Sequence, residues 1–200
     1  MRFPEGFKWG VQNIAPQIET ATAHQWKDFE ARDGFRFHRT CDHEQYRRED
    51  AQLFARLGNL FHFSPDWSKL QSAPLSPFDE EVKIAYQVFL QKLQEEGTET
   101  MMSVYNFAHP QWFEEAGGWE KEDNVTPFVD YSRRCARAFG PFVSHWNTFH
   151  EPNTYAFQAF LLKNFPPHRR SLRKLRRVLH NMGLAHAVAY DILKTFDPTA

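Results

Sequence analysis

"HWNTFHEPN", from His145 to Asn153, predicts a β-strand that ends in a charged residue. Trp146, Thr148 and Phe149 are typical of a strand, yet a histidine, a glutamate and a proline follow them. Because burying an unpaired charge next to a core is costly, the position of Glu151 suggests a functional role. Where strands run parallel, the residues at their carboxyl ends are the first candidates for a functional site.

Outward from this stretch, strand and helix patterns alternate along the chain. In the clearest helix, apolar residues recur every three or four positions from Val82 to Leu93, after Asp79 as the N-cap. The predicted order is strand 7–15, helix 48–58, strand 60–67, helix 79–97, strand 98–107, helix 127–140, strand 144–152 and helix 171–196. Such alternation favours parallel strands covered by helices.

Four strand–helix units fit either an open doubly wound sheet or half of an eight-stranded barrel. The doubly wound fold predicts a glycine-rich turn after its first strand, but neither GxGxxG nor GxxxxGK[ST] occurs in the sequence. We therefore predict an α/β fold of the (β/α)8 TIM-barrel type. Residues 1–200 would form a single domain that covers about the first four strand–helix units, since a full barrel typically needs about 250 residues.

Composition limits the function classes. The chain is 42% hydrophobic with a formal net charge of −1, so no overall field attracts nucleic acid or an anionic membrane. Its start lacks the apolar run of a signal peptide, and no stretch approaches the roughly 18 apolar residues of a membrane span. Cys41 and Cys135 form no CxxC motif. We expect a soluble, cytoplasmic protein without a structural metal.

Polar residues mark the ends of all four predicted strands. Aromatic residues lie near them in the sequence, and this mixture is what a carbohydrate pocket requires. The strand-end residues are Gln17, Glu19, His62, Asp66, Asn106, His109, His150 and Glu151, and the nearby tryptophans are Trp67, Trp112, Trp119 and Trp146. Each residue taken singly is more simply explained as a hydrogen-bonded loop residue, so only the coincidence at four ends favours a site.

Several motifs, in order, resemble family 1 glycoside hydrolases, the β-glucosidase and β-galactosidase group. "FPEGFKWGVQNIAPQIET" is similar to the family opening FPxxFxWGxAtaxxQxEG, and "EDAQLFARLGNLFHFSPDWSKL" to EDixLmkeLGvxxyRFSIxWsRi. "VYNFAHPQWFEEAGGW" is similar to LxHxxxPxWlxxxGGW, and "WNTFHEPN" to WxTxNEPn. The resemblance covers essentially the whole chain. It implies the N-terminal half of a (β/α)8 barrel that hydrolyses β-linked O-glycosides with retention and needs no cofactor.

The resemblance also implies roles for individual residues. Glu151 would be the catalytic general acid/base, a role that needs a pKa raised by desolvation in an aromatic pocket. Gln17, Asn106, His150, Trp119 and His62 would line the sugar site. Three of these positions depart from the family: His62 replaces an arginine, Asn106 a histidine and His150 an asparagine. The loss of the arginine matters most, because a neutral imidazole stabilises a nearby carboxylate less than a guanidinium does.

The nucleophile is the other departure. A retaining glycosidase needs a second carboxylate roughly 5–5.5 Å from the acid, and the family supplies it from an ENG motif on the seventh strand, which this sequence does not contain. The isolated chain is therefore expected to be inactive. Two interpretations stay open: half of a β-glycosidase, completed by a complementary C-terminal half or by self-association, or a non-catalytic, truncated half-barrel that binds sugar weakly.

Two further interpretations are less favoured. His62, His109, His150 and Glu151 could converge on zinc, with "HRTCDH" (His38 to His43) as a weaker cluster, but no metal-binding spacing supports either. "HRRSLRKLRR" (His168 to Arg177) is basic enough to contact nucleic acid. Its charges flank an apolar helix stripe, however, so we expect a solvated face and no nucleic-acid partner. The expected ligand is a β-glycoside or oligosaccharide.

Overall fold

The computed structural model describes residues 2–20, 23–30 and 40–197. Four parallel strands form a sheet in the order β1-β2-β3-β4. The strands are β1 Gly10–Ile14, β2 Leu60–Ser64, β3 Glu99–Tyr105 and β4 His145–Phe149. This order, in which each strand lies beside its predecessor, is that of one half of a (β/α)8 barrel and confirms the predicted fold.

Four long helices cover one face of the sheet, each after one strand. They are α2 His43–Leu57, α4 Glu80–Glu95, α6 Val125–Phe139 and α8 Leu172–Phe196. Short helices follow the strand ends: α1 Ala15–Ile18, α3 Trp67–Leu70, α5 Gln111–Glu115 and α7 Pro152–Phe157. The predicted long helices are confirmed, although α2 begins five residues earlier than its pattern. The short helices were not predicted, because four to six residues carry too little periodicity.

The two faces of the sheet differ in chemistry. Phe61, Phe63 and Met102 are buried against the helices, where Phe89 and Phe139 complete an aromatic core. The opposite face carries several polar side chains. His62 Nε2 lies 2.7 Å from Ser103 Oγ, and Asn147 donates to that same oxygen at 3.0 Å. A polar inner face and an apolar outer face are consistent with strands that surround a barrel interior.

The carboxyl ends of the strands meet at one edge of the molecule. Register pairs Ile14 with Ser64 and Tyr105 with Phe149, so the loops after all four strands start side by side. Within the described part of the chain, β1 and β4 each pair on one side only. None of the described helices has the length and apolar character that a membrane span requires.

Candidate active site

Glu151 occupies the second position after β4, in a strained backbone conformation. Its φ of 45° and ψ of 55° lie in the left-handed region, which costs a non-glycine residue about 1 kcal/mol or more. The hydrogen bond from His150 N to the Tyr105 carbonyl (2.9 Å) holds the residue before Glu151 in place, and Pro152 begins α7 directly after it. This conformation turns the carboxylate away from the core. Its side chain is 55% exposed, so the predicted burial in an aromatic pocket is wrong for the described residues.

His150 and His62 are in contact. Their rings lie 5.3 Å apart at 63°, and Gln12 Nε2 lies 3.2 Å from His150 Nε2. The same nitrogen of His150 lies 3.7 Å from Glu151 Oε1. Burial, helped by the nearby His150, lowers the pKa of His62 to about 4. At neutral pH the position that resembles the family arginine therefore carries no charge.

A cavity of about 430 Å³ opens beside these residues. It brings together Gln17 and Asn106, two of the predicted sugar-binding residues. Asn106 is 3% exposed, and neither its amide nitrogen nor its amide oxygen has a hydrogen-bond partner among the described residues. Since unpaired buried amides are rare, the cavity offers both a donor and an acceptor to a ligand hydroxyl.

Aromatic rings that the sequence analysis did not select form the walls of this cavity. Trp26, Phe107 and Phe165 line it, with Trp26 and Phe107 each 4.9 to 5.7 Å from Phe165 between ring centroids. Phe107 also lies 5.9 Å from the His150 ring, which links the cavity to Glu151. The available signal was the position of Phe107, immediately after the polar end of β3.

Trp119 was predicted to line the sugar site, and that prediction is wrong. It is 1% exposed and packs at 5.0 to 5.3 Å against Tyr105, Phe113, Phe128 and Phe149, while its carbonyl accepts a hydrogen bond from Asn181. Trp119 is thus a core residue beneath the strand ends, with no surface for a ligand to contact.

Of the histidines considered as zinc ligands, His62 and His150 are in contact, but His109 is engaged elsewhere. His109 is fully buried, with Nε2 2.9 Å from Glu114 Oε2 and Nδ1 3.2 Å from Gln25 Nε2. In the second cluster, His43 pairs with Asp50 at 2.6 Å, and His38 lies outside the described residues. No group of three or more metal-ligating side chains forms among residues 2–20, 23–30 and 40–197. His109 therefore serves the loop structure.

Comparisons with known proteins place this arrangement in a family. The family model described as "Glycosyl hydrolase family 1" matches residues 1–200. The chain is 31% identical to Beta-glucosidase 1 of Arabidopsis thaliana and 27% identical to Beta-glucosidase A of Thermotoga maritima, in both cases over 96% of its own length. It covers 41% and 46% of those relatives, so it spans about half the length of the curated proteins it matches.

Solved structures give the same result. A beta-glycosidase from Pyrococcus horikoshii superposes with a TM-score of 0.88 at 30% identity, covering 96% of this chain and 46% of that one. A family 1 glucosidase from Thermotoga maritima superposes with a TM-score of 0.92 at 27% identity, covering 97% and 46%. The sequence, the half-barrel and the strand-end residues agree, and the chain belongs to glycosyl hydrolase family 1.

Proposed function

We propose that this chain supplies the sugar-binding and proton-donating half of a retaining β-glycosidase. The observation that carries the proposal is the unpaired buried amide of Asn106, a residue that lines a cavity together with Gln17. Phe107, another lining residue, lies against His150, which is next to Glu151. A sugar hydroxyl would satisfy the amide, and the ring face of the sugar would pack on the aromatic walls.

In this proposal, Glu151 protonates the glycosidic oxygen and later activates water. Its exposure in the half-barrel means that the desolvation it needs has to come from elsewhere, either from the bound substrate or from a complementary C-terminal half. That half would also supply the nucleophile carboxylate. It would pair with the open edges of β1 and β4, which a second copy of this chain could cover as an alternative.

Binding is the first test, because it uses the chain as it is. Cellobiose should bind in the millimolar range or more tightly, as measured by saturation-transfer NMR, and Asn106→Leu should abolish this binding. Phe157→Ala is a suitable control, since Phe157 is 45% exposed and does not line the cavity. Unchanged binding by Asn106→Leu would place the sugar elsewhere.

Turnover is the second test. With the complementary half present, Glu151→Gln should nearly abolish hydrolysis of cellobiose but spare a 4-nitrophenyl β-glucoside more, because a good leaving group needs less protonation. Equal losses on both substrates would show that Glu151 is not the proton donor. Sequencing the coding DNA beyond Ala200 would show whether strands five to eight, with an ENG glutamate, follow in frame. The cytoplasmic location stays a prediction, to be checked by cell fractionation.

The alternative, a non-catalytic half-barrel that binds sugar weakly, has one observation in its favour. His62 carries no charge at neutral pH, so a nucleophile beside it would lack the permanent cation that the family arginine implies. Binding of cellobiose without turnover, even in the presence of a complementary half, would support this alternative.

A further inference from the structure

The loop and helix that follow Glu151 carry positive charge without any acid. No Asp or Glu occurs from residue 152 to residue 190. The same stretch contains Lys163, Arg169, Arg170, Arg173, Lys174, Arg176 and Arg177. We call residues 163–177 the basic segment. Because the net charge of the whole chain is only −1, this positive charge is a local feature.

The fold places the basic segment at the edge of the molecule that carries the candidate site. A helix that follows a strand in a barrel runs back antiparallel to it, so its N-terminus lies at the carboxyl end of the strand. Ser171 caps α8 at this end, accepting a hydrogen bond from Lys174 N. Backbone bonds from Arg169 N to Ala159 O and from Ser171 N to Phe160 O, both 2.8 Å, hold the preceding loop in place.

The segment begins in the wall of the sugar cavity. Asn164 and Phe165 line that cavity. Next to them, the His168 ring stacks on Phe29, another wall residue, at 5.6 Å and 7°. Arg169 and Arg170 follow directly and are exposed. A ligand that fills the cavity and extends past its rim would therefore meet guanidinium groups.

Most of these cations have no carboxylate partner in the part of the chain that the structure describes. Lys174 pairs with Glu120 at 2.7 Å, and the charge of Arg169 acts on Glu114. Arg170, Arg173, Arg176 and Arg177 are exposed, and no carboxylate of the described residues lies within 4.0 Å of their side-chain nitrogens.

Some helix cations elsewhere on the surface are paired. Lys83 pairs with Glu80 on α4, and Arg134 with Asp130 on α6. Positive side chains in the first turn of a helix also oppose its dipole, and α8 has no acid there to offset them. The basic segment therefore lowers the stability of the fold by repulsion among its charges and with the helix dipole. Local features that cost stability are expected at functional surfaces.

We propose that the basic segment binds an anionic group, such as a carboxylate, sulfate or phosphate, on the leaving-group side of a β-glycoside whose sugar occupies the cavity. The inference rests on the proposed function and names its substrate class. Arginine suits this role, since its planar fork of donors matches such oxyanions. A glycoside is favoured over a nucleic acid because the charges start at the cavity wall and the rest of the chain is not basic.

The test compares cellobiose with cellobionate, which has the same glucosyl unit but a carboxylate on the leaving group. Dissociation constants for the full chain are measured by NMR titration at low salt and at about 0.3 M salt, where screening is strong. Arg170→Gln and Arg173→Gln are compared with Arg56→Gln, an exposed arginine in the last turn of α2, at the opposite edge of the sheet.

We expect cellobionate to bind more tightly than cellobiose at low salt and to lose this advantage at high salt. Each of Arg170→Gln and Arg173→Gln should weaken cellobionate binding by roughly two- to fivefold, the usual size for an exposed ion pair. Neither should change cellobiose binding, and Arg56→Gln should change neither ligand.

The outcomes separate this inference from the proposed function. Binding of cellobiose without a preference for cellobionate would overturn the inference and keep the function. Arginine-dependent binding of cellobionate alone would show an anion site without a sugar cavity, and would count against both the proposed function and the inference. Binding of neither ligand, or a single-stranded oligonucleotide displacing cellobionate from the arginines at lower concentration, would overturn the inference.

Discussion

Replacing Lys69 with methionine should destabilise the segment that carries Gln17. The carboxylate of Glu19 is 2% exposed, and it accepts hydrogen bonds from Lys69 Nζ at 2.7 Å and from the Tyr86 hydroxyl at 2.9 Å. Lys69 also bonds Glu44 at 2.7 Å. Removing one partner of a buried ion pair costs about 3–5 kcal/mol, because the remaining charge is left in a poor solvent.

The expected loss for Lys69→Met lies at the lower end of that range, about 3 kcal/mol. Arg47 stays 3.7 Å from Glu19 and compensates in part. For a chain of this size, 1 kcal/mol corresponds to about 2–4 °C in Tm, so Tm should fall by roughly 6–12 °C. Urea titration followed by circular dichroism would measure the free energy of unfolding, and thermal scans would measure Tm.

Lys83→Met is the matched control, because Lys83 pairs with Glu80 in one turn of α4 and Glu80 is 70% exposed. It should cost about 0–1 kcal/mol. The double variant Glu19→Gln/Lys69→Met should be more stable than the sum of the single losses predicts, since the stranded charge is gone. A loss for Lys69→Met no larger than that of Lys83→Met would refute the reasoning.

The same cluster predicts alkaline behaviour. Burial alone would lower the pKa of Lys69, but the charge and hydrogen bond of Glu19 raise it above its ordinary value. Burial and the charge of Glu19 raise the pKa of Tyr86 as well. Both groups therefore contribute stability that is complete below their unfolded pKa values of about 10 and is lost as pH rises further.

Three other predictions concern the site and its support. In an NMR titration, the His62 imidazole should titrate near pH 4. Because this pKa lies below the unfolded value of about 6.5, the His62 contribution to stability should be lost as pH decreases from about 6.5 to about 4. His62→Gln should reduce the slope of stability against pH in this range, and a His62 midpoint near 6.5 would contradict the burial argument. Trp119→Ala should lower the free energy of unfolding by about 3–5 kcal/mol in urea titrations. Trp9→Ala, at a residue that is 53% exposed, should lower it far less. A Trp119→Ala variant that kept its stability and lost only sugar binding would show that Trp119 belongs to the site. Asn106→Leu should leave the free energy of unfolding within about 1 kcal/mol of wild type or raise it, because the lost amide has no partner among the described residues. A larger decrease would show that the amide makes a stabilising hydrogen bond.

The sequence predicted what depends on local pattern and on motifs. The alternation of strands and long helices is a property of short windows, and the order of motifs from Phe3 to Asn153 identified the barrel. Gln17 and Asn106 were found because both lie close to the carboxyl end of a strand, where parallel register brings the ends together. Asn106 directly follows β3, and Gln17 lies in α1, three residues after β1. Element ends were less accurate, since polar residues such as Glu99 can either begin a strand or precede it.

The errors arose where the answer depends on distant packing. Trp119 matches a motif, but four rings from four different elements decide that it is buried. Phe165 was missed for the converse reason: it reaches the cavity because the chain folds back between α7 and α8, which no period in the sequence shows. Glu151 is exposed and has a left-handed backbone conformation after β4, and residue type determines neither property.

The three departures from the family pattern argue for a site that is in use. Independent losses would leave unmatched polar groups at each position, yet His62 and His150 touch each other and are bonded to Ser103 and Gln12. The third departure, Asn106, does leave its polar atoms unpaired, and it does so at a cavity that also contains Gln17. An unpaired buried amide costs about 1–3 kcal/mol unless something occupies the cavity. Two adapted positions, and one whose amide has no partner among the described residues, are consistent with the proposed sugar site.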